Sequence, residues 1–197
     1  MSHLALPAPR LVLADLLTTR RSAVRDVLLV AGAAALIGVS AQISVPVPGS
    51  PVPVTGQTFA VLLAAAALGP WRGPAASLTY VLAGLAGVPW FAGGTSGLPG
   101  ATFGYLAGMV LASAVVGALA SHGADRTPWR VAPTMLLGNL VVYAVGVTWL
   151  AVTLQLSPQQ AITVGLVPFL LGDALKILLA AGLLPGAWRL ATRPGRH

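Results

Sequence analysis

The sequence predicts an all-α integral membrane protein of six transmembrane helices with both termini in the cytoplasm. Three observations predict it. Of 197 residues, 56% are hydrophobic and 8% charged, with a mean hydropathy of +0.86, whereas soluble domains carry about 25% charged residues. The apolar residues gather into six runs, each compatible with a span of about 20 residues, or fewer where a segment is re-entrant. The arginines fall at the ends of these runs, on alternate connectors only.

Taken in order, the expected spans are 24–44, 56–69, 74–88, 102–121, 131–154 and 167–186, giving a membrane domain over 24–186. Residues 1–23 and 187–197 form an N-terminal segment and a basic tail. Arg10, Arg20, Arg21 and Arg25 lie at the start of the first span, and Arg72 between the second and third. Arg126 and Arg130 lie between the fourth and fifth, and Arg189, Arg193 and Arg196 at the end of the sixth. Connectors 45–55, 89–101 and 155–166 contain neither Lys nor Arg. Positive charge retained in the cytoplasm then sets the orientation. Val39-Ser40-Ala41 resembles a signal-peptide cleavage site, but the apolar run continues beyond it and the basic leader is long, so the span is expected to stay uncleaved.

The arginine-free connectors are not ordinary solvated loops. Residues 45–54 contain Pro46, Pro48, Pro51 and Pro53 and should run extended. Residues 88–100 are Gly-rich, apolar and aromatic. Both look built to fold over a site, since irregular backbone at membrane depth is tolerated where it lines a cavity. In the third, Ser157-Pro158 reads as an N-cap with proline at the first helical position, so a short helix to about Gly165 precedes the last span.

In that last span Asp173 and Lys176 stand three residues apart, and Lys176 is the only lysine. Each charge at a bilayer centre costs roughly 2.5–3.5 kcal/mol. A buried pair that merely fixes packing is weakly justified, because apolar replacements are often as stable. A binding role explains it better: the ammonium for a ligand carboxylate, the Asp173 carboxylate for ligand N–H groups. Thr55, Gln57, Thr58, Thr102 and Tyr105 cluster toward the same side, with Gly104 and Gly108 permitting close approach. Asn139 is expected to bond between helices. Ala31 with Ala35, and Ala34 with Gly38, form small-residue strips on which another helix can pack.

Composition excludes much else. With no cysteine there is no disulfide, Fe–S cluster or thiolate metal site. The histidines (His3, His122, His197) lie at termini or in a polar loop, leaving no buried imidazole for a metal or a catalytic base. No Gly-x-Ser-x-Gly and no Walker A loop occurs. The net charge of +7 is spread among connectors, not along a nucleic-acid-binding face.

Three motifs carry a resemblance to a known family. They are Gln42-Ile-Ser-Val-Pro-Val-Pro with Pro53-Val-Thr-Gly-Gln-Thr-Phe59; Gly87-Val-Pro-Trp-Phe-Ala-Gly-Gly94 with Gly100-Ala-Thr-Phe-Gly-Tyr-Leu106; and Pro168-Phe-Leu-Leu-Gly-Asp-Ala-Leu-Lys176. Over about 24–186 the chain resembles BioY, the biotin-specific S component of energy-coupling-factor transporters. The resemblance implies a non-enzymatic, multi-pass subunit of the bacterial cell membrane that captures biotin at the outer face. A transmembrane coupling protein and two ATPase subunits would energise uptake, with no cofactor or metal of its own. Asp173, Lys176, Tyr105, Gly104, Phe91, Gly93, Gly94 and Gln57 become the expected ligand site, and Ala31 and Ala35 the expected contact with the coupling protein. Ala101 and Phe103 depart from the family's usual Gly-Pro-Thr-Gly-Gly-Tyr, and Phe103 could reshape the rim. An S component for another small carboxylate vitamin, or a structural membrane subunit, are the alternatives.

Overall fold

In a computed structural model, the structure describes residues 11–17 and 22–192. Arg10, Arg20, Arg21, Arg193, Arg196, His3 and His197 lie outside the described residues. The helices are α1 (Leu13–Leu17), α2 (Ala23–Ala41), α3 (Gln57–Leu68), α4 (Arg72–Leu85), α5 (Phe103–Ser121), α6 (Pro128–Leu154), α7 (Pro158–Gly165) and α8 (Leu170–Ala191). All six expected spans are helical, with shifted ends.

Helix α2 stops at Ala41 because the Gln42 N–H turns back to Val39 and Ser40 and the chain enters a hairpin. That hairpin pairs β1 (Ser44–Val45) antiparallel to β2 (Val54–Thr55); the proline run between them is non-helical as expected, but it does not run extended throughout, because it turns at Pro48-Gly49, where the Ser50 N–H donates to the Val47 carbonyl. Helix α6 begins at Pro128, earlier than the sequence suggested, because extended Thr127 precedes proline at the first helical turn. Helix α7 carries the predicted cap, elaborated into a capping box: Ser157 accepts from the Gln160 N–H while Gln160 accepts from the Ser157 N–H. Helix α8 runs on to Ala191, through Pro185.

Among the described residues, four helical stretches are long and apolar enough to cross a membrane: Ala23–Ala41, Gly100–Ser121, Pro128–Thr153 and Pro158–Ala191. Helices α3 and α4, of 12 and 14 residues, reach only about 18 and 21 Å, against a hydrocarbon core of about 30 Å. Their shortness has a local cause. Gly69, at φ 89°, ends α3, and Gly87, at φ 109°, follows α4.

Helix α5 is the most buried of the long helices and packs against α3, α4 and α6. The expected Gly-x-x-x-Gly pair serves this packing. A Cβ on Gly104 would lie 2.2 Å from the Trp149 Cβ, and one on Gly108 2.9 Å from the Val142 carbonyl oxygen. The two strips on α2 differ in exposure. Ala34 and Gly38 face inward, with Trp90 against Gly38, whereas Ala31 and Ala35 are exposed.

The described arginines gather at one end of the bundle. There Arg72 is buried and pairs with Asp15 at 2.9 Å and Asp26 at 2.8 Å, and Arg126 lies over the Trp188 ring. Residues before 24, set aside by the sequence as a separate segment, contribute to this end. Val12 and Ala14 are buried in a cluster with Leu68 and Ala76, because Asp15 draws α1 onto Arg72.

Candidate functional site

At the opposite end, both arginine-free connectors that looked like covers fold inward. Trp90 anchors the longer one. Its indole N–H donates to the Tyr80 carbonyl at 3.0 Å, and the Tyr80 hydroxyl donates back to the Trp90 carbonyl at 3.3 Å. Gln42 holds the same segment from α2, donating to the carbonyls of Trp90 and Phe91 at 3.0 and 3.2 Å. The hairpin is tied to α7 by the Ser50 hydroxyl, which donates to the Val164 carbonyl at 2.7 Å.

Between these covers and α3, α5, α6 and α8 lies a cavity of about 400 Å³, within the usual size of a small-molecule site. Its wall is mostly apolar: Val52 and Pro53 from the hairpin, Phe91 and Leu98 from the long connector, Leu106, Met109, Val142 and Phe169 from the bundle. Polar groups enter at a few points. Thr55 comes from β2, Gln57 and Thr58 from the start of α3, Asn139 and Tyr143 from α6, and Asp173 and Lys176 from α8.

The charged pair forms as the spacing predicts. The Lys176 ammonium donates to Asp173 Oδ1 at 3.0 Å and to Thr58 Oγ1 at 2.8 Å. The Tyr143 hydroxyl donates to Asp173 Oδ2. An ammonium has three donors and a carboxylate about four acceptor positions, so both groups keep hydrogen-bonding capacity toward the cavity. Tyr143 was missed by sequence reading. A signal existed: it stands four residues after Asn139, on the same face of one helix.

The expected site residues divide. Asp173, Lys176, Gln57, Tyr105 and Phe91 line the cavity. Gly93, Gly94 and Gly104 are not among its lining residues. Gly93 and Gly94 take φ values of 71° and 70°, conformations open to glycine at little cost, and so shape the turn after Phe91. Gly104 abuts Trp149, as above. Tyr105 offers only its ring, because its hydroxyl donates to the Gly165 carbonyl at 2.7 Å. The Gln57 amide donates to the Tyr80 hydroxyl at 2.6 Å, linking the cavity wall to the Trp90 anchor. Phe103 packs edge-on against Trp149, at 5.4 Å between ring centres, away from the cavity. Asn139 does not bond between helices. Its Oδ1 is buried and has no hydrogen-bond partner among the described residues, at a typical cost of roughly 1–3 kcal/mol. Among the described residues, no cluster of three His, Cys, Asp or Glu side chains could hold a metal.

Comparison with protein families matches residues 14–193 to the BioY family. The chain belongs to the BioY family. The match reaches beyond 24–186 at both ends, in keeping with the packing of α1 and the length of α8. Several BioY relatives are similar over most of their length. The biotin transporter BioY of Thermotoga maritima is 42% identical, over 75% of this chain and 86% of the relative. BioY2 of Lactococcus lactis, also named a biotin transporter, is 35% identical over 77% and 83%. The probable biotin transporter BioY of Pyrococcus horikoshii is 36% identical over 79% and 91%. Among solved structures, the S-component for biotin from an ECF-type ABC transporter superposes with a TM-score of 0.76, covering 89% of this chain and 97% of that one. At 22% identity this likeness speaks to the fold, an S-component fold in a multi-pass membrane protein.

Proposed function

We propose that this chain is the substrate-capturing subunit of a biotin uptake system: it binds biotin in the cavity beneath the two arginine-free connectors and has no catalytic activity. The observation that carries this is the pair of buried Asp173 and half-buried Lys176, which keeps donors and acceptors free at a mostly apolar cavity. Biotin matches that wall with ureido N–H groups and a carbonyl, a carboxylate, and an apolar ring and tail. Its relatives' names point to the same ligand.

In this reading the six helices all belong to the membrane domain, with short α3 and α4 completing the bundle around the cavity. The arginine-bearing end and both termini face the cytoplasm, so the cavity opens at the outer face of the bacterial cell membrane. The exposed Ala31/Ala35 strip on α2 is the surface for the transmembrane coupling protein, and two ATPase subunits supply the energy that this sequence, lacking a Walker A loop, does not.

Mass spectrometry of small molecules carried by the detergent-purified protein, followed by biotin titration, tests the reading. Tight binding by the wild type is expected, with loss in Lys176→Ala and Asp173→Asn. Equal binding by all three would remove these residues from the site. No binding by the wild type would overturn the function.

A further inference from the structure

The arginine-bearing end divides into two halves. On one, Arg25 and Arg72 are engaged by Asp15 and Asp26. On the other, Arg126 and Arg130, on either side of the α6 N-terminus, and Arg189, at the end of α8, are exposed and pair with no acidic side chain among the described residues. Arg126 lies over the Trp188 ring at 4.7 Å, and Arg189 follows Trp188 in the chain. The acid on this half, Asp125, is 0% exposed and accepts the Trp188 indole N–H at 2.6 Å. Its carboxylate is held beneath the surface, and the exposed guanidinium groups keep their donors for something outside the chain.

Positive charge alone would suit any acidic partner, but the outer face of α6 narrows the class. Trp129 is 89% exposed. With Pro133, Leu136 and Leu140 it stands at i, i+4, i+7 and i+11, an exposed apolar stripe that runs along α6 away from the arginines. Charge at one level, an indole at the junction and hydrocarbon below is the order of groups at a membrane interface. A water-soluble acidic segment would have no use for Leu136 and Leu140. Nor is this the face assigned to the coupling protein, because α2, with Ala31 and Ala35, packs on α3 and α4.

We propose that this corner binds an anionic phospholipid of the cytoplasmic leaflet, its phosphate held by Arg126 and Arg130 and an acyl chain laid along Trp129, Leu136 and Leu140. Arginine suits the phosphate because its planar fork donates two parallel hydrogen bonds. Selectivity follows from charge: a zwitterionic lipid brings a cation that the arginines repel. The site stands apart from the biotin cavity and takes from the biotin reading only the orientation, which names the leaflet.

Native mass spectrometry of the full chain in detergent, titrated with phosphatidylglycerol and with phosphatidylcholine of the same acyl chains, tests this. Wild type is expected to bind phosphatidylglycerol about tenfold or more tightly than phosphatidylcholine, with the preference shrinking as salt rises. A basic residue near an anionic lipid surface contributes about fivefold in affinity. Arg130→Gln should lose about that factor for phosphatidylglycerol and nothing for phosphatidylcholine, while Arg130→Lys keeps most of the preference. Arg126→Gln with Arg130→Gln should abolish it, and Trp129→Ala should weaken both lipids alike. Thermal unfolding checks each variant; if losing the Arg126–Trp188 contact unfolds the double variant, Arg130→Gln alone decides. Equal affinity of wild type for the two lipids, or a preference unchanged in Arg130→Gln, overturns the proposal. If Arg130→Gln then also fails to assemble with coupling and ATPase subunits, the surface belongs to a protein partner. Glycerol 3-phosphate, a headgroup without chains, should not displace the lipid at equal concentration. Displacement would make this a site for free phosphate and overturn the lipid assignment.

Discussion

Tyr143 and Thr58 show how neighbouring side chains convert a charged pair into a binding surface. Without them, Asp173 and Lys176 would spend their capacity on each other; with them, each charge is steadied from a second helix and stays oriented toward the cavity. Tyr143→Phe removes one donor to a buried carboxylate and leaves the ring in place. Hydrogen bonds to charged groups are worth about 1.5–3 kcal/mol, so calorimetric titration should show biotin affinity falling about tenfold or more. Affinity within threefold of wild type would mean that the hydroxyl does not shape the site. Phe91 and Gly84 illustrate the same dependence in packing. The Phe91 ring lies where a Cβ on Gly84 would be, at 2.2 Å, so Gly84→Ala should displace Phe91 from the cavity wall and weaken binding.

At the scale of elements, α1 is held by charge as much as by apolar contact. Burial tends to raise the pKa of Asp15, but hydrogen bonds from Arg72 and from the Val12 N–H, with the charges of Arg72 and Arg25, bring it below its ordinary 3.8. The sign follows from linkage: a carboxyl depressed in the folded state adds stability that is fully present above pH 3.8 and is lost as pH falls through the lowered folded value. Thermal unfolding in detergent should therefore show Asp15→Asn less stable than wild type near pH 7, with the gap closing toward pH 3. A gap independent of pH would show that the charge of Asp15 does not hold α1, and no gap at all that Val12 and Ala14 hold it alone. The long connector depends on a different tie, the hydrogen bonds of Trp90 with Tyr80 and those of Gln42 to the Trp90 and Phe91 carbonyls, which fix its backbone while Gly93 and Gly94 allow the turn.

At the scale of the whole molecule, the two ends differ in chemistry: one gathers arginines and aspartates, the other prolines, glycines and aromatic residues around a cavity. The chain contains no cysteine, so single cysteines can report which end faces which side. Leu98→Cys, at a position 87% exposed beside the cavity mouth, should react with a membrane-impermeant maleimide in intact cells. His122→Cys, at the arginine-bearing end, should react only after permeabilisation. The reverse pattern would invert the proposed topology.

By itself the sequence determined the helical class, the alternating distribution of charge, the two covering connectors and the Asp173–Lys176 pair. These are properties of composition and of spacing along one helix, where residues three apart are neighbours whatever surrounds them. Capping at Ser157-Pro158 belongs with them, because the cap acts within one turn. Only the tertiary structure decided which polar residues share a cavity. Gly104 and Gly93 carry no side chain whose chemistry declares a role; the first faces Trp149 and the second bends a loop, facts set by how helices and turns meet. Tyr143 drew no notice in the sequence and Asn139 was expected to bond between helices; how α6 packs against α8 and α3 decided both. Hydrogen-bond partners on different helices are chosen by packing and not by local spacing, so the partner of Asp173, and the lack of one for Asn139 Oδ1 among the described residues, became legible only in three dimensions.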